Sequence, residues 1–182
     1  GGYIGMIAVA TAPEGTFSGL ILVDTKIVRD RLDIENDIPP VIARPPKTYP
    51  DRETILSRFK LIPDQEPASA EVMAYLAENS IIARDGGWTW KYAAGAVDTT
   101  GSRETMKMLR PKLAAMPLVV YVHGSESSLA LEKDVSVAGG LAPHARTICI
   151  PGAAHHIPVD HPAELVTVLN DLLGSLPDGP DR

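Results

Sequence analysis

Hydrophobic positions change period several times along the chain, and each change predicts an element. Residues 2–11 are almost wholly small or apolar and close on Pro13 and Gly15, which predicts a helix. Gly19-Leu20-Ile21-Leu22-Val23-Asp24 is a continuous apolar run ending in a carboxylate, the pattern of a strand buried on both faces of a parallel sheet. Residues 25–50 change character: Pro39, Pro40, Pro45, Pro46 and Pro50 forbid long regular structure, and the segment reads as a linker into a separate layer. Helices are predicted over 51–60, with Ile55, Leu56 and Phe59 on one side, over 68–80, with Val72, Tyr75 and Leu76 as the apolar stripe, and over 102–113, with Ser102 as N-cap. Between the last two, Asp85-Gly86-Gly87 reads as a turn and Trp88-Thr89-Trp90-Lys91-Tyr92 as a short extended segment.

The apolar runs then resume. Pro117-Leu118-Val119-Val120-Tyr121-Val122 predicts a buried strand, with a loop at 123–128 and a helix over about 131–141. A strand over 146–150 follows, and the last helix starts near Pro162, a residue suited to a first helical position. The order is helix, strand, a helical insertion, then strand–helix–strand–helix. Strands that alternate with helices imply a parallel sheet with right-handed crossovers, so the fold class is α/β. Three strands make a thin sheet whose first member lacks a partner, which leads to the expectation that further chain precedes Gly1.

Composition adds boundaries to this picture. The 182 residues are 45% hydrophobic and 22% charged, a globular balance with room for a core and a lid. A formal net charge of −6, with scattered basic residues, argues against nucleic acid or an anionic membrane as partner. No apolar stretch is long enough to span a bilayer, and a cytoplasmic location is the default expectation. The single cysteine, Cys149, excludes an internal disulfide and is expected to be a small buried hydrophobe.

The candidate chemistry lies at Pro151-Gly152-Ala153-Ala154-His155-His156, followed by Asp160-His161-Pro162. A strand that ends in small residues and then offers a histidine on a loop is suited to a general base, because the strand fixes the loop and the loop lets the ring pass a proton both ways. His155 is the expected base and its neighbour His156 the lesser candidate. The His-His pair is not read as a metal site, since adjacent side chains diverge and no further ligand stands at suitable spacing. His123 reads as a structural residue. The opening Gly1-Gly2-Tyr3-Ile4-Gly5 is a poor phosphate loop, having no preceding strand or lysine. Trp88, Trp90, Tyr92 and Phe59 either line a pocket or hold their layer together, and the second role is the commoner one for aromatics in small helical layers.

These residues resemble the second half of an α/β-hydrolase, a fold whose nucleophile sits at a strand-to-helix turn in the pattern Gly-x-Ser-x-Gly. Gly1 resembles the last glycine of that turn, and the residues from Gly2 onward resemble the helix behind it. The run 20–24 resembles the family's sixth strand, 119–124 its seventh, and 151–162 its histidine loop. Arg58-Phe59-Lys60-Leu61-Ile62-Pro63 and Asp85-Gly86-Gly87-Trp88-Thr89-Trp90-Lys91 resemble cap phrases of bacterial esterase- or epoxide-hydrolase-like proteins. The resemblance implies a partial α/β-hydrolase fold, a mostly parallel sheet of the last three strands with a helical cap insertion. It divides the chain into a core part over 1–24, a mobile cap over 25–115 that encloses substrate, a second core part over 116–175 and a frayed tail over 176–182.

The resemblance also implies roles. His155 would be the base of a Ser-Asp-His triad whose nucleophile stands ahead of Gly1. The orienting acid often lies a few residues past the seventh strand, but Ser128 stands about there. Asp24 and Glu126 remain as candidates, and Asp24 is preferred because a strand end positions a side chain better than a loop does. The implied activity is cleavage of an ester or related acyl bond in a small apolar substrate, with no cofactor. Two alternatives stay open: an aspartate nucleophile, as in haloalkane dehalogenases and epoxide hydrolases, and a non-catalytic ligand-binding homologue.

Overall fold

The computed structural model describes residues 1–27, 45–92, 102–130 and 132–176. Much of the proline-rich linker and nearly all of the expected tail lie outside the described residues. The chain divides into two units, one formed by Gly1–Val28 with Gly101–Arg182 and the other by Arg29–Thr100.

The first unit holds helix α1 (Gly2–Thr11) and strand β1 (Gly19–Val23). Its later elements are α4 (Ser102–Ala115), β4 (Leu118–Gly124), α5 (Glu132–Gly139), β5 (Arg146–Ile150), a single turn α6 (Ile157–Asp160) and α7 (Pro162–Gly174). The strands form a parallel sheet in the order β1-β4-β5, with Leu20 opposite Val119 and Val122 opposite Ile148. The period-two alternation of a strand sorts β4 between two cores. Val119 and Tyr121 join Met6, Val9, Leu20, Leu22, Leu109 and Leu113 on one face. Leu118, Val120 and Val122 join Ile150, Ile157, Leu165 and Leu172 on the other. A strand covered on both faces has to be apolar at every position, which is why 118–122 reads as an unbroken hydrophobic run.

The second unit holds α2 (Arg52–Leu56), α3 (Ala70–Asn79) and the strands β2 (Ile81–Arg84) and β3 (Gly87–Trp90). Asp51 and Ser69 cap the helices by accepting from the backbone N–H groups of Thr54 and Val72. β2 and β3 are an antiparallel hairpin, with Arg84 opposite Gly87 across the Asp85-Gly86 loop. Both loop residues have positive φ, 52° and 76°, as a turn matched to the strand twist requires. The turn expected at 85–87 and the extended segment expected from Trp88 are thus the loop and second strand of this hairpin, and β2 is a strand that the sequence reading did not include. α4 lies in the first unit, where Leu109 and Leu113 share a core with Met6 and Val9 of α1. Lys112 Nζ reinforces that pairing by donating to the Ala12 carbonyl at the end of α1.

Candidate active site

β1 and β4 end side by side at the carboxyl edge of the sheet, where open α/β sheets place their sites. At the end of β1 the Asp24 N–H still donates to the Val122 carbonyl (2.7 Å), so the sheet ladder holds its backbone. Its φ then turns to +44°, a left-handed conformation that aspartate tolerates better than most residues. The turn buries the carboxylate completely. The next residues are pinned too: the Tyr121 hydroxyl donates to Thr25 O (3.0 Å), and the Ile27 N–H donates to Asp134 Oδ1 (2.7 Å). Burial first, then the Asp24 and Asp134 carboxylates, push the Tyr121 phenol far above its ordinary 10.0.

His155 meets Asp24 across 131 residues of sequence, with Nδ1 2.8 Å from Oδ1. Asp24 Oδ2 accepts from the Gly124 N–H at 2.9 Å, and the Ser127 hydroxyl donates to Oδ1 at 2.5 Å. Both carboxylate oxygens therefore accept from groups other than the imidazole, Oδ2 from the backbone and Oδ1 from the serine. In the neutral imidazole the proton then belongs on Nδ1, which leaves Nε2 with the lone pair a base requires. The His155 side chain is 23% exposed and its partner is wholly buried, so the pair combines a wet tip with a dry anchor.

The histidine loop is tied down from both sides. A Cβ at Gly124 would overlap the Ala153 carbonyl, so only glycine lets the end of β4 approach the loop this closely. Glu126 N–H donates to Ala153 O (2.9 Å) and Gly152 N–H to Ser125 Oγ (2.8 Å). Asp160 Oδ2 accepts from Ala154 N–H at 2.6 Å, which fixes the residue before His155 from the far end of the loop.

The structure thus brings together Asp24 and His155 and leaves the other candidates aside. Glu126 is exposed, and its carboxylate accepts from Ser125. Ser128 is exposed, whereas its neighbour Ser127 touches Asp24. The His156 ring lies against that of His155, centroids 4.7 Å apart, and His123 stacks on Tyr121. Trp90 packs between Tyr49 and Phe59, with ring centroids at 6.4 and 6.1 Å, so it and Phe59 serve the cohesion of their own unit. Cys149 is exposed, against expectation. Ile148 and Ile150 take the covered face of β5. Cys149, between them, therefore points the other way on a strand at the sheet's border.

Ser127, Tyr121, Asp134 and Gly124 were not singled out by their sequence. Only Asp160 belonged to a motif, Asp160-His161-Pro162. Gly2 also faces this end of the sheet, since a Cβ there would overlap the Thr25 side chain. The amino end of α1 is therefore adjacent to the residue that follows Asp24. A cavity of about 460 Å³, lined by Val9, Phe17, Lys112 and Met116 among others, lies instead where the strands begin, remote from His155. Among the described residues no group of three or more His, Cys, Asp or Glu side chains could hold a metal ion, and no helix is long and apolar enough to cross a membrane.

No protein-family model and no curated protein sequence matches the chain. Solved structures do. E-2-(acetamidomethylene)succinate hydrolase superposes with a TM-score of 0.73 at 17% identity, covering 94% of this chain and 62% of its own. An esterase of Mycobacterium tuberculosis gives 0.68 at 18%, covering 96% and 58%. The peroxisomal α/β-hydrolase of Saccharomyces cerevisiae gives 0.69 at 13%, covering 100% and 53%. The chain spans less than two thirds of each of these proteins. With its parallel sheet in the order β1-β4-β5 and its likeness to these structures, the chain belongs to the α/β-hydrolase fold.

Proposed function

We propose that this chain carries the base and the orienting acid of a hydrolase that cleaves an ester or related acyl bond of a small, apolar molecule. The observation that carries the reading is the contact of 2.8 Å between His155 Nδ1 and the buried Asp24 carboxylate at the carboxyl edge of the sheet. In this fold the nucleophile stands at a strand-to-helix turn. α1 is the helix that suits such a turn, so the reading places the nucleophile ahead of Gly1. His155 Nε2 takes the hydroxyl proton as the oxygen attacks the carbonyl carbon, then returns it to the departing alkoxide as the acyl-enzyme forms. In the second half His155 takes a proton from water, the hydroxide adds to the acyl carbon, and the proton passes back to the nucleophile. Throughout, Asp24 holds the ring and offsets the imidazolium charge without accepting the proton itself.

The test is hydrolysis of a short-chain p-nitrophenyl ester by the full-length protein. His155→Ala is expected to lower kcat by about 10³-fold or more. Hydrolysis at the unaltered rate in that variant would overturn the assignment.

A further inference from the structure

We propose that Ser127 is a positioning residue, which fixes the protonation of the Asp24–His155 pair by donating to the carboxylate oxygen that also faces the imidazole. The proposal rests on the reading of His155 as the base. Its physical content is a count of protons and lone pairs. A serine hydroxyl has one proton to give and two lone pairs to offer. Both lone pairs of Ser127 Oγ are engaged, by the Leu129 N–H at 3.2 Å and the Ala130 N–H at 3.0 Å. The proton therefore has one direction left, toward Asp24 Oδ1 at 2.5 Å.

Two consequences follow for His155. First, Oδ1 cannot be a protonated, donating oxygen while Ser127 donates to it. The carboxyl stays acceptor-only and Nδ1 of the neutral ring must hold the hydrogen. Second, the hydroxyl draws negative charge from the same oxygen that faces the imidazole, so that removing it should favour the charged ring. The other groups that face the pair are the His156 ring beside His155 and the Tyr121 phenol, which burial and then the Asp24 and Asp134 carboxylates hold above its ordinary titration range. Glu126, on the same loop as Ser127, is exposed and accepts from Ser125.

The experiment compares wild type, Ser127→Ala and Ser127→Thr in the full-length protein. His155 is followed by long-range ¹H–¹⁵N correlation of ¹⁵N-histidine-labelled samples, beside kcat and KM for ester hydrolysis. Ser127→Ala is expected to raise the His155 titration midpoint by roughly half to one pH unit. The acidic limb of kcat should move up with it, because the ring must be neutral to act. kcat should fall about tenfold with KM nearly unchanged, the pattern of an interaction that matters in the transition state. Ser127→Thr keeps the hydroxyl and should restore both.

An unmoved midpoint in Ser127→Ala, even with a lowered melting temperature, overturns the proposal and leaves Ser127 as a loop cap. The two readings fail separately. If the midpoint moves but Asp24→Asn and His155→Ala still hydrolyse the ester at full rate, the positioning contact stands and the catalytic reading falls. If those variants are inactive and the midpoint does not move, the catalytic reading stands and the role of Ser127 falls.

Discussion

At Asp24 the backbone conformation decides which substitution gives a clean answer. With φ at +44°, glutamate would add strain to its extra length, whereas asparagine keeps both the shape and the left-handed preference. Asp24→Asn should therefore melt within a few degrees of wild type and still lose about 10³- to 10⁴-fold in kcat, because the amide can hold the ring in the wrong tautomer. Gly124→Ala tests the neighbouring strand end. Its new methyl meets the Ala153 backbone, which cannot swing aside as a side chain could, and the expected loss is about 1–3 kcal/mol in a denaturant titration, with lower kcat. Tyr121 supplies a pH signature. Its phenol ionises at a higher pH in the folded protein than in the unfolded chain. The stability this represents is whole below pH 10 and is lost as pH rises beyond it. Tyr121→Phe should flatten the alkaline fall of melting temperature against pH, and an unchanged fall would remove Tyr121 as its source. Asp24 could be picked out from sequence because an apolar run ended on a carboxylate. Ser127 could not, since a serine within Ser125-Glu126-Ser127-Ser128 carries no mark of which hydroxyl turns inward.

Elements with one dominant local signal were legible, and those decided by pairing were not. α1 and β5 fall where the apolar runs placed them, and α7 begins at the proline that suits its first turn. β2 was missed because Ile81-Ile82-Ala83-Arg84 continues directly from α3, and nothing local distinguishes a strand of this length from fraying helix. What makes it a strand is its partner, registered by the Asp85-Gly86 turn. Gly86→Val, which places a β-branched residue at φ 76°, should destabilise this unit by about 1–2 kcal/mol, measured by hydrogen exchange at Ile81 and Trp90. Exchange rates equal to wild type at those amides would show that the turn does not set the register. The exposure of Cys149 has the same origin. An apolar run identifies a strand but not how much of it the neighbouring elements cover.

Across the whole molecule, the order of strands carries the consequences. β1 pairs with β4 along one side, and no strand takes its other side among the described residues. A row of open backbone donors and acceptors recruits further strands, so the 182-residue chain prepared alone should self-associate as its concentration rises. Light scattering from a monodisperse monomer at high concentration would contradict this. The fold class was legible at this scale because alternating strands and helices leave few ways to build a parallel sheet. The partner of α4 was not, since the helix declares it only by packing on α1. One consequence concerns tolerance to change. The two halves of the Asp24–His155 contact flank the whole of Arg29–Thr100. Closing a chain over a longer excursion costs only about 0.6 kcal/mol for each doubling of its length. The length of the excursion between the two halves can therefore change at small entropic cost to the contact that closes it.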